Sequence, residues 1–424
     1  MFVMMLVYVM LVVVRPQDYP QLVDSGVPML QIALALALAM WLGGRRRPFD
    51  APQYALVPAL LLAMMFSEAA NGWWGGVLLQ LQQFGPVVVA FVLLAQAIDS
   101  QRRVKIVMVV LGLCTAVLAV HGIEQKQLGI GWTGVGLIQE DGRIQYLGIF
   151  NDPNDLGMLF VAVLPMTLYL SLGGGWFRLR RLFWLAISGA ILWAIVLTDS
   201  RGTLLAVIAI FGVYLWRRKG MFTAGAAAAG CLGVLMMLPS RMQELDVSEE
   251  SALGRVEAWY QGLQMFMSHP VAGVGAGLFA DNNGNLTAHN SFVLVLGETG
   301  FLGFTIFLAF TCYCFFMPIE ILRHEPELAD EEAEEAWTET RQLATVMLLS
   351  LTGMYMAAFF LSRSYVILLY IVTALVVAQY LAAREAFPSL QSFPLGRDLG
   401  AWPVRSAFAI AGLFVVVKVL LVSV

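Results

Sequence analysis

The chain has 424 residues, of which 59% are hydrophobic and only 13% charged, with a mean hydropathy of +0.77 and a formal net charge of −4. That composition excludes a soluble globular domain and marks a polytopic membrane protein, in which charge is sorted by side rather than spread over one surface. Nothing in the charge balance calls for a nucleic-acid partner.

Crossing the hydrocarbon core takes about 20 apolar residues, fewer where neighbouring helices help. Thirteen segments qualify, near 1–14, 27–42, 54–70, 77–98, 104–122, 155–172, 182–198, 203–216, 221–239, 291–318, 342–361, 364–383 and 406–423. The first is short, so a count of twelve stays open, and the expected fold is all-α with 12–13 transmembrane helices. Met1 starts directly in an apolar run without a basic region or a small-residue cleavage site, so no removable signal peptide is expected. Cys114, Cys231, Cys312 and Cys314 all lie in apolar runs, which suits buried thiols better than a disulfide or metal framework.

Basic residues favour the cytoplasmic loops. Arg45 to Arg47, Arg102/Arg103/Lys105, Arg178/Arg180/Arg181 and Arg217/Arg218/Lys219 all fall on one side if the N-terminus is inside, and only scattered arginines and Lys126 fall opposite. The long outer loops are then 121–154 and 239–290, periplasmic if the cell has an outer membrane. The longest inner connection, about 319–341, is acidic and reads as a solvated helix without chemistry. Three regions follow: 1–145 with the first spans and first long loop, 146–304 as the motif-bearing core with the outer loop about 239–290, and 305–424 with the last spans and the acidic inner loop about 319–341.

The outer side carries the residues capable of chemistry. Asn151-Asp152-Pro153-Asn154-Asp155 opens a span and reads as a capped turn, with Asn154 open to the alternative of binding a substrate hydroxyl. Arg201, in TDSRGT, sits in a very short turn between spans, where a guanidinium could bind phosphate oxygens, snorkel to headgroups or pair with Asp199. Arg255 begins a segment whose Val256, Trp259, Leu263 and Phe266 recur at near-helical spacing, which predicts an amphipathic helix along the membrane surface. The glycines of GVGAG, with neither a P-loop lysine nor a dinucleotide fold around them, read as a turn outside the membrane, with anion binding by backbone amides as the alternative.

His289 precedes Asn290 where the outer loop re-enters the membrane. Its imidazole suits a proton acceptor near neutral pH, although a capping histidine is the plainer reading. Glu298 follows in LGETGFLG and needs a partner, either an arginine or a neighbouring helix. Gly297, Gly300 and Gly303 around it read as close packing. Arg363, in LSRSY, is a further cation at an outer turn. No HExxH, paired CxxC or acidic metal cluster appears, so neither a metal nor another cofactor is expected.

Four signals in order, IFNDPND, LTDSRGTLLA, LGRVEAW with HPVAGVGAGLF, and AHNSFVLVLGETGFLG, resemble the O-antigen ligase and O-antigen polymerase superfamily over roughly residues 146–304. The resemblance implies a membrane glycosyltransferase with a partly helical outer loop over its active site. Such an enzyme moves a glycan from a polyprenyl pyrophosphate carrier to an acceptor hydroxyl by inverting, metal-independent transfer. It implies His289 as general base, with Arg201 and Arg255 as pyrophosphate ligands. Arg363 is a weaker candidate ligand, and Asn290, Glu298 and Asn154 are supporting or acceptor-binding residues. The expected partners are the lipid-linked donor, a lipid A core or second glycan acceptor, and membrane lipids, in a bacterial inner membrane. A ligase is the leading expectation; a glycan polymerase shares its chemistry, and a lipid-linked glycan flippase would use the arginines for binding alone. Thirteen spans would leave the C-terminus outside, whereas the resembled ligases return it inside.

Overall fold

A computed structural model describes residues 1–44, 46–138, 142–172, 178–237 and 245–422. Arg45, Gly173 to Gly175 and Arg241 lie outside them. Fifteen α-helices follow in order: α1 (Phe2–Val14), α2 (Met29–Leu42), α3 (Gln53–Ala70), α4 (Trp74–Ala97), α5 (Gln101–Leu128), α6 (Pro153–Leu170), α7 (Leu179–Leu197), α8 (Arg201–Lys219), α9 (Met221–Met237), α10 (Leu245–Ser268), α11 (Ser291–Arg323), α12 (Glu331–Ala358), α13 (Ile367–Ala386), the short α14 (Leu395–Asp398) and α15 (Ala401–Val422). Among the described residues there is no β-strand. Each expected span is helical over most of its described residues, with the end of the 221–239 span lying outside them, and eight helices, α3 to α7, α11, α13 and α15, are long and apolar enough to cross a membrane. The protein is an all-α polytopic membrane protein.

The short α1 also joins the two ends of the bundle. Phe2 lies under the Arg103 guanidinium at the start of α5, 4.9 Å from ring centroid to Cζ, while the Val14 carbonyl accepts from Tyr146 OH at 2.8 Å in the loop beyond α5. The most enclosed helices are α6 and α13. At the end of the bundle bearing Arg103, ion pairs tie helix ends together: Arg47 with Glu385 at 2.7 Å, Arg384 with Asp50 at 2.6 Å, and Lys105 with Glu339. Glu339 comes from the acidic stretch read as a plain connector, so part of that stretch anchors α12 to α5.

At the opposite end the chain makes a re-entrant excursion that hydropathy does not reveal. Within α11, Gly300 has φ 63° and ψ −157°, which breaks the helix after nine residues, about 13 Å of helical rise. The amides freed by the break are taken up by the HPV segment: Phe301 N donates to Pro270 O at 2.8 Å and Leu302 N to Val271 O at 3.3 Å. The glycine run therefore packs against the α11 break and is not a turn outside the bundle. Gly273, at φ 71°, leaves no room for a side chain, since a Cβ there would lie 2.3 Å from the Glu298 carbonyl carbon. Irregular backbone is tolerated at such depth because protein covers it.

The amphipathic segment is helical as expected but is not simply spread on a surface. Trp259 and Leu263 are buried against the start of α11, and Gly262 permits the approach, since a Cβ there would lie 2.4 Å from Val293 Cγ1. The helix ends at Ser268, before the His269-Pro270 pair, as proline sterics dictate.

Candidate active site

The NDPND motif builds the first wall. Asp152 caps α6 by accepting from Asn154 N at 2.7 Å, with Pro153 at the first helical position, where its missing N–H costs nothing. The turn sets Asp155, 2% exposed, facing Arg363. Arg363 Nε and Nη2 donate to its two carboxylate oxygens at 2.5 and 2.7 Å, a bidentate pair. These hydrogen bonds hold the guanidinium more firmly protonated than usual, against the opposing effect of burial. Arg363 is thus engaged by a carboxylate through Nε and Nη2.

The same turn is stitched to the chain beside His289. Ser291 Oγ accepts from Arg363 N at 3.0 Å and donates to Leu361 O at 2.7 Å, while Ser364 Oγ donates to Ser291 O at 2.7 Å. Asn290, fully buried, caps α11 by accepting from Phe292 N and Val293 N at 2.9 and 3.1 Å. Its Nδ2 has no acceptor among the described residues. His289 itself is half-buried at φ 48°, a left-handed backbone that turns the chain from the loop into the capped helix. Burial, and next Arg255, hold its imidazole below the ordinary 6.5; Asp152 opposes them and Arg363 adds a smaller push downward. A neutral imidazole at neutral pH follows.

Arg255 is half-buried on α10, and burial, then Arg201, then Arg143 disfavour its charge. Arg201, exposed, is the first residue of α8, after Ser200 caps that helix by accepting from Thr203 N at 3.3 Å. It therefore combines a guanidinium with the positive end of a helix dipole. Arg143 reaches in from the loop after α5, donating from Nε to Thr198 O at 2.8 Å and from Nη2 to Asn154 Oδ1 at 3.0 Å. Asn154 is thereby an arginine acceptor. Among the described residues, neither Arg201 nor Arg255 has an ion-pair partner. Cations brought together against their mutual repulsion, beside a helix N-terminus, are an arrangement that can hold an anion.

Glu298 belongs elsewhere. It is 2% exposed, Oε1 accepts from Phe279 N at 3.3 Å, and its carbonyl accepts from Ser67 Oγ at 2.6 Å and Gly275 N at 3.1 Å. Beside it Gln80 Nε2 donates to Glu68 Oε1 at 2.9 Å and to Ala276 O at 2.8 Å. Of the two partners expected, Glu298 has neighbouring helices and the glycine run, with no arginine contact among the described residues. At 2% exposed it is closed off from solvent.

His121, near the end of α5, is fully buried, with Nε2 2.8 Å from Thr133 Oγ1 and its ring edge-on to Trp132 and Tyr146. It organises the 129–146 loop and takes no part in the cluster. Among the described residues no group of His, Cys, Asp and Glu is arranged to hold a metal ion. The residues that sequence reasoning undervalued are Asp155 and Arg143. For Asp155 the one signal was the second aspartate of NDPND, one position beyond what the turn itself requires.

No curated protein matches the chain. Residues 186–308 match the family model described as O-antigen ligase, a span that holds Arg201, Arg255, His289 and Glu298 and leaves out Asn154 and Arg363. Over that site-bearing segment the chain is similar to the O-antigen ligases, which supports the O-antigen ligase and O-antigen polymerase superfamily of membrane glycosyltransferases.

Proposed function

We propose that the protein is an O-antigen ligase that transfers a glycan from polyprenyl pyrophosphate, such as undecaprenyl pyrophosphate, to a hydroxyl of lipid A core. The reaction takes place on the periplasmic side of a bacterial inner membrane. The observation that carries this reading is the pairing of a neutral-holding His289 with an arginine cluster centred on Arg255 and Arg201. The acceptor oxygen attacks the anomeric carbon while its proton passes to the imidazole. The bond from that carbon to the pyrophosphate oxygen breaks on the opposite face, and the electron pair leaves with the carrier. Attack opposite the leaving group inverts the anomeric centre.

Arg201 and Arg255, with the α8 N-terminus, stabilise the charge that builds on the departing pyrophosphate, the largest electrostatic demand of the reaction. A positioned base contributes about 10²- to 10⁴-fold. The open Nδ2 of Asn290 and the Arg143–Asn154 pair lie beside the reacting groups and orient them.

Reconstituted protein supplied with a polyprenyl pyrophosphate glycan and two acceptors, lipid A core and a second carrier-linked glycan, tests the proposal. Transfer to lipid A core supports it, and product on the carrier-linked glycan alone makes the protein a polymerase. Binding without product at either acceptor would favour lipid transport.

A further inference from the structure

The last helix carries a charge that the reaction above does not use. In α15, Lys418 stands among exposed Val415, Val416 and Val419, about 25 Å of helical rise from Ala401. An intramembrane lysine is costly unless it snorkels or finds a partner. Its Nζ lies 5.0 Å from the centroid of the Tyr260 ring on α10, a cation–π contact that leaves the ammonium exposed. Tyr260 is five residues beyond Arg255 on the same helix, roughly 7.5 Å of rise.

One turn before Lys418 a groove opens between α10, α11 and α15. It measures about 490 Å³ and is lined by Phe266, Phe301, Ala407, Ile410, Ala411 and Phe414. Ala407 and Ala411 recur at i, i+4, so the floor of the slot is low where three phenylalanines form its walls. That shape suits a single apolar chain better than the paired tails of a phospholipid. The groove and the arginine cluster share α10 as a wall, with Lys418 between them.

We infer that this groove is the entry site for the polyprenyl-pyrophosphate donor, with the isoprenoid chain in the α10–α15 slot and the pyrophosphate met first by Lys418 before it passes to Arg255. The inference rests on the donor named above. Lys418 supplies charge complementary to the pyrophosphate at bilayer depth, and the slot fixes the direction of approach.

The test uses the full chain in lipid nanodiscs and a photoreactive polyprenyl diphosphate that carries no glycan, so that labelling is independent of transfer. Label is expected on peptides of α10 and α15, displaced by unlabelled polyprenyl diphosphate at a concentration at least tenfold below that of phosphatidylglycerol. Lys418→Gln should weaken labelling about tenfold and raise KM for the long-chain donor with kcat unchanged. Ala411→Phe, which fills the slot, should abolish labelling. Both variants should unfold at the wild-type temperature, which shows that they fold. Label elsewhere, equal displacement by phosphatidylglycerol, or labelling indifferent to both variants would overturn the site. His289→Ala should label normally and transfer nothing. Wild-type labelling without any transfer would keep the site and remove the glycosyltransferase reading instead.

Discussion

His289 and Glu298 are nine residues apart, and their surroundings are opposites. Around His289 the chain gathers arginines, and the carboxylate of Asp155 is already committed to Arg363. Around Glu298 it gathers carboxylates, amides and backbone, with Gln80 and Ser67 as donors and no arginine contact among the described residues. The first region gathers positive charge beside the α8 N-terminus, an arrangement suited to an anion. The second ties Glu68 and Glu298 to neighbouring side chains and backbone through one carboxylate oxygen each, and shapes the re-entrant glycine run. The difference separates chemistry from scaffolding within a single helix start, and it determines what each substitution should change.

The largest effect on rate is expected from His289→Ala, a loss of about 10²- to 10⁴-fold in turnover with an unchanged melting temperature, read by transfer assay and thermal unfolding. Normal turnover in that variant would remove the base from the mechanism. Arg255→Gln should cost about 10²- to 10³-fold in kcat by weakening leaving-group stabilisation. It also tests the electrostatics. In the wild type the imidazole is depressed below 6.5, so the deprotonated, active form persists as pH falls through that value, and the acid limb of the rate profile lies below 6.5. The depressed group also contributes stability that is present above 6.5 and lost as pH falls through its folded pKa. Removing Arg255 takes away a downward push, so the acid limb should move up toward 6.5. A limb that stays in place would mean that Arg255 does not act on His289.

The glycine run should respond in the opposite sense. Gly273→Ala is expected to destabilise the fold by about 1–3 kcal/mol through overpacking against Glu298, with little change in kcat for the protein that remains folded. Glu298→Gln, which keeps a carbonyl acceptor for Phe279 N, should change stability least and leave the acid limb where it was. A shift of the limb would place Glu298 within the electrostatic cluster after all.

Hydropathy made the helices legible because a span must be apolar over its whole length, and local sterics marked the Asp152–Pro153 start of α6 and the His269–Pro270 end of α10. Other features depend on partners far apart in sequence. Arg363 read as a spare cation because its carboxylate partner lies 208 residues away. LGETGFLG read as three packing glycines; Gly297 lies against Phe279 and the Gly262 carbonyl of α10, whereas Gly303 faces Thr299 of α11 itself. The third, Gly300, is the helix break, and only the HPV segment folded against it reveals the difference. His289, Arg201 and Arg255 were recognisable through their motifs, whereas Arg143 lay in a loop whose path nothing local dictates.

The Asp155–Arg363 pair also bears on the order of assembly during synthesis. Breaking a mostly buried ion pair by removing one partner costs about 3–5 kcal/mol, because it leaves a buried charge alone. Asp155 emerges early and Arg363 late, after α12 has been inserted. Until then Asp155 has no arginine to neutralise it, and the Ser291 side chain has no turn to fasten to. A nascent chain that already contains His289, Arg201 and Arg255 would therefore lack the contacts that fasten the Ser291 turn until the C-terminal helices have entered the membrane.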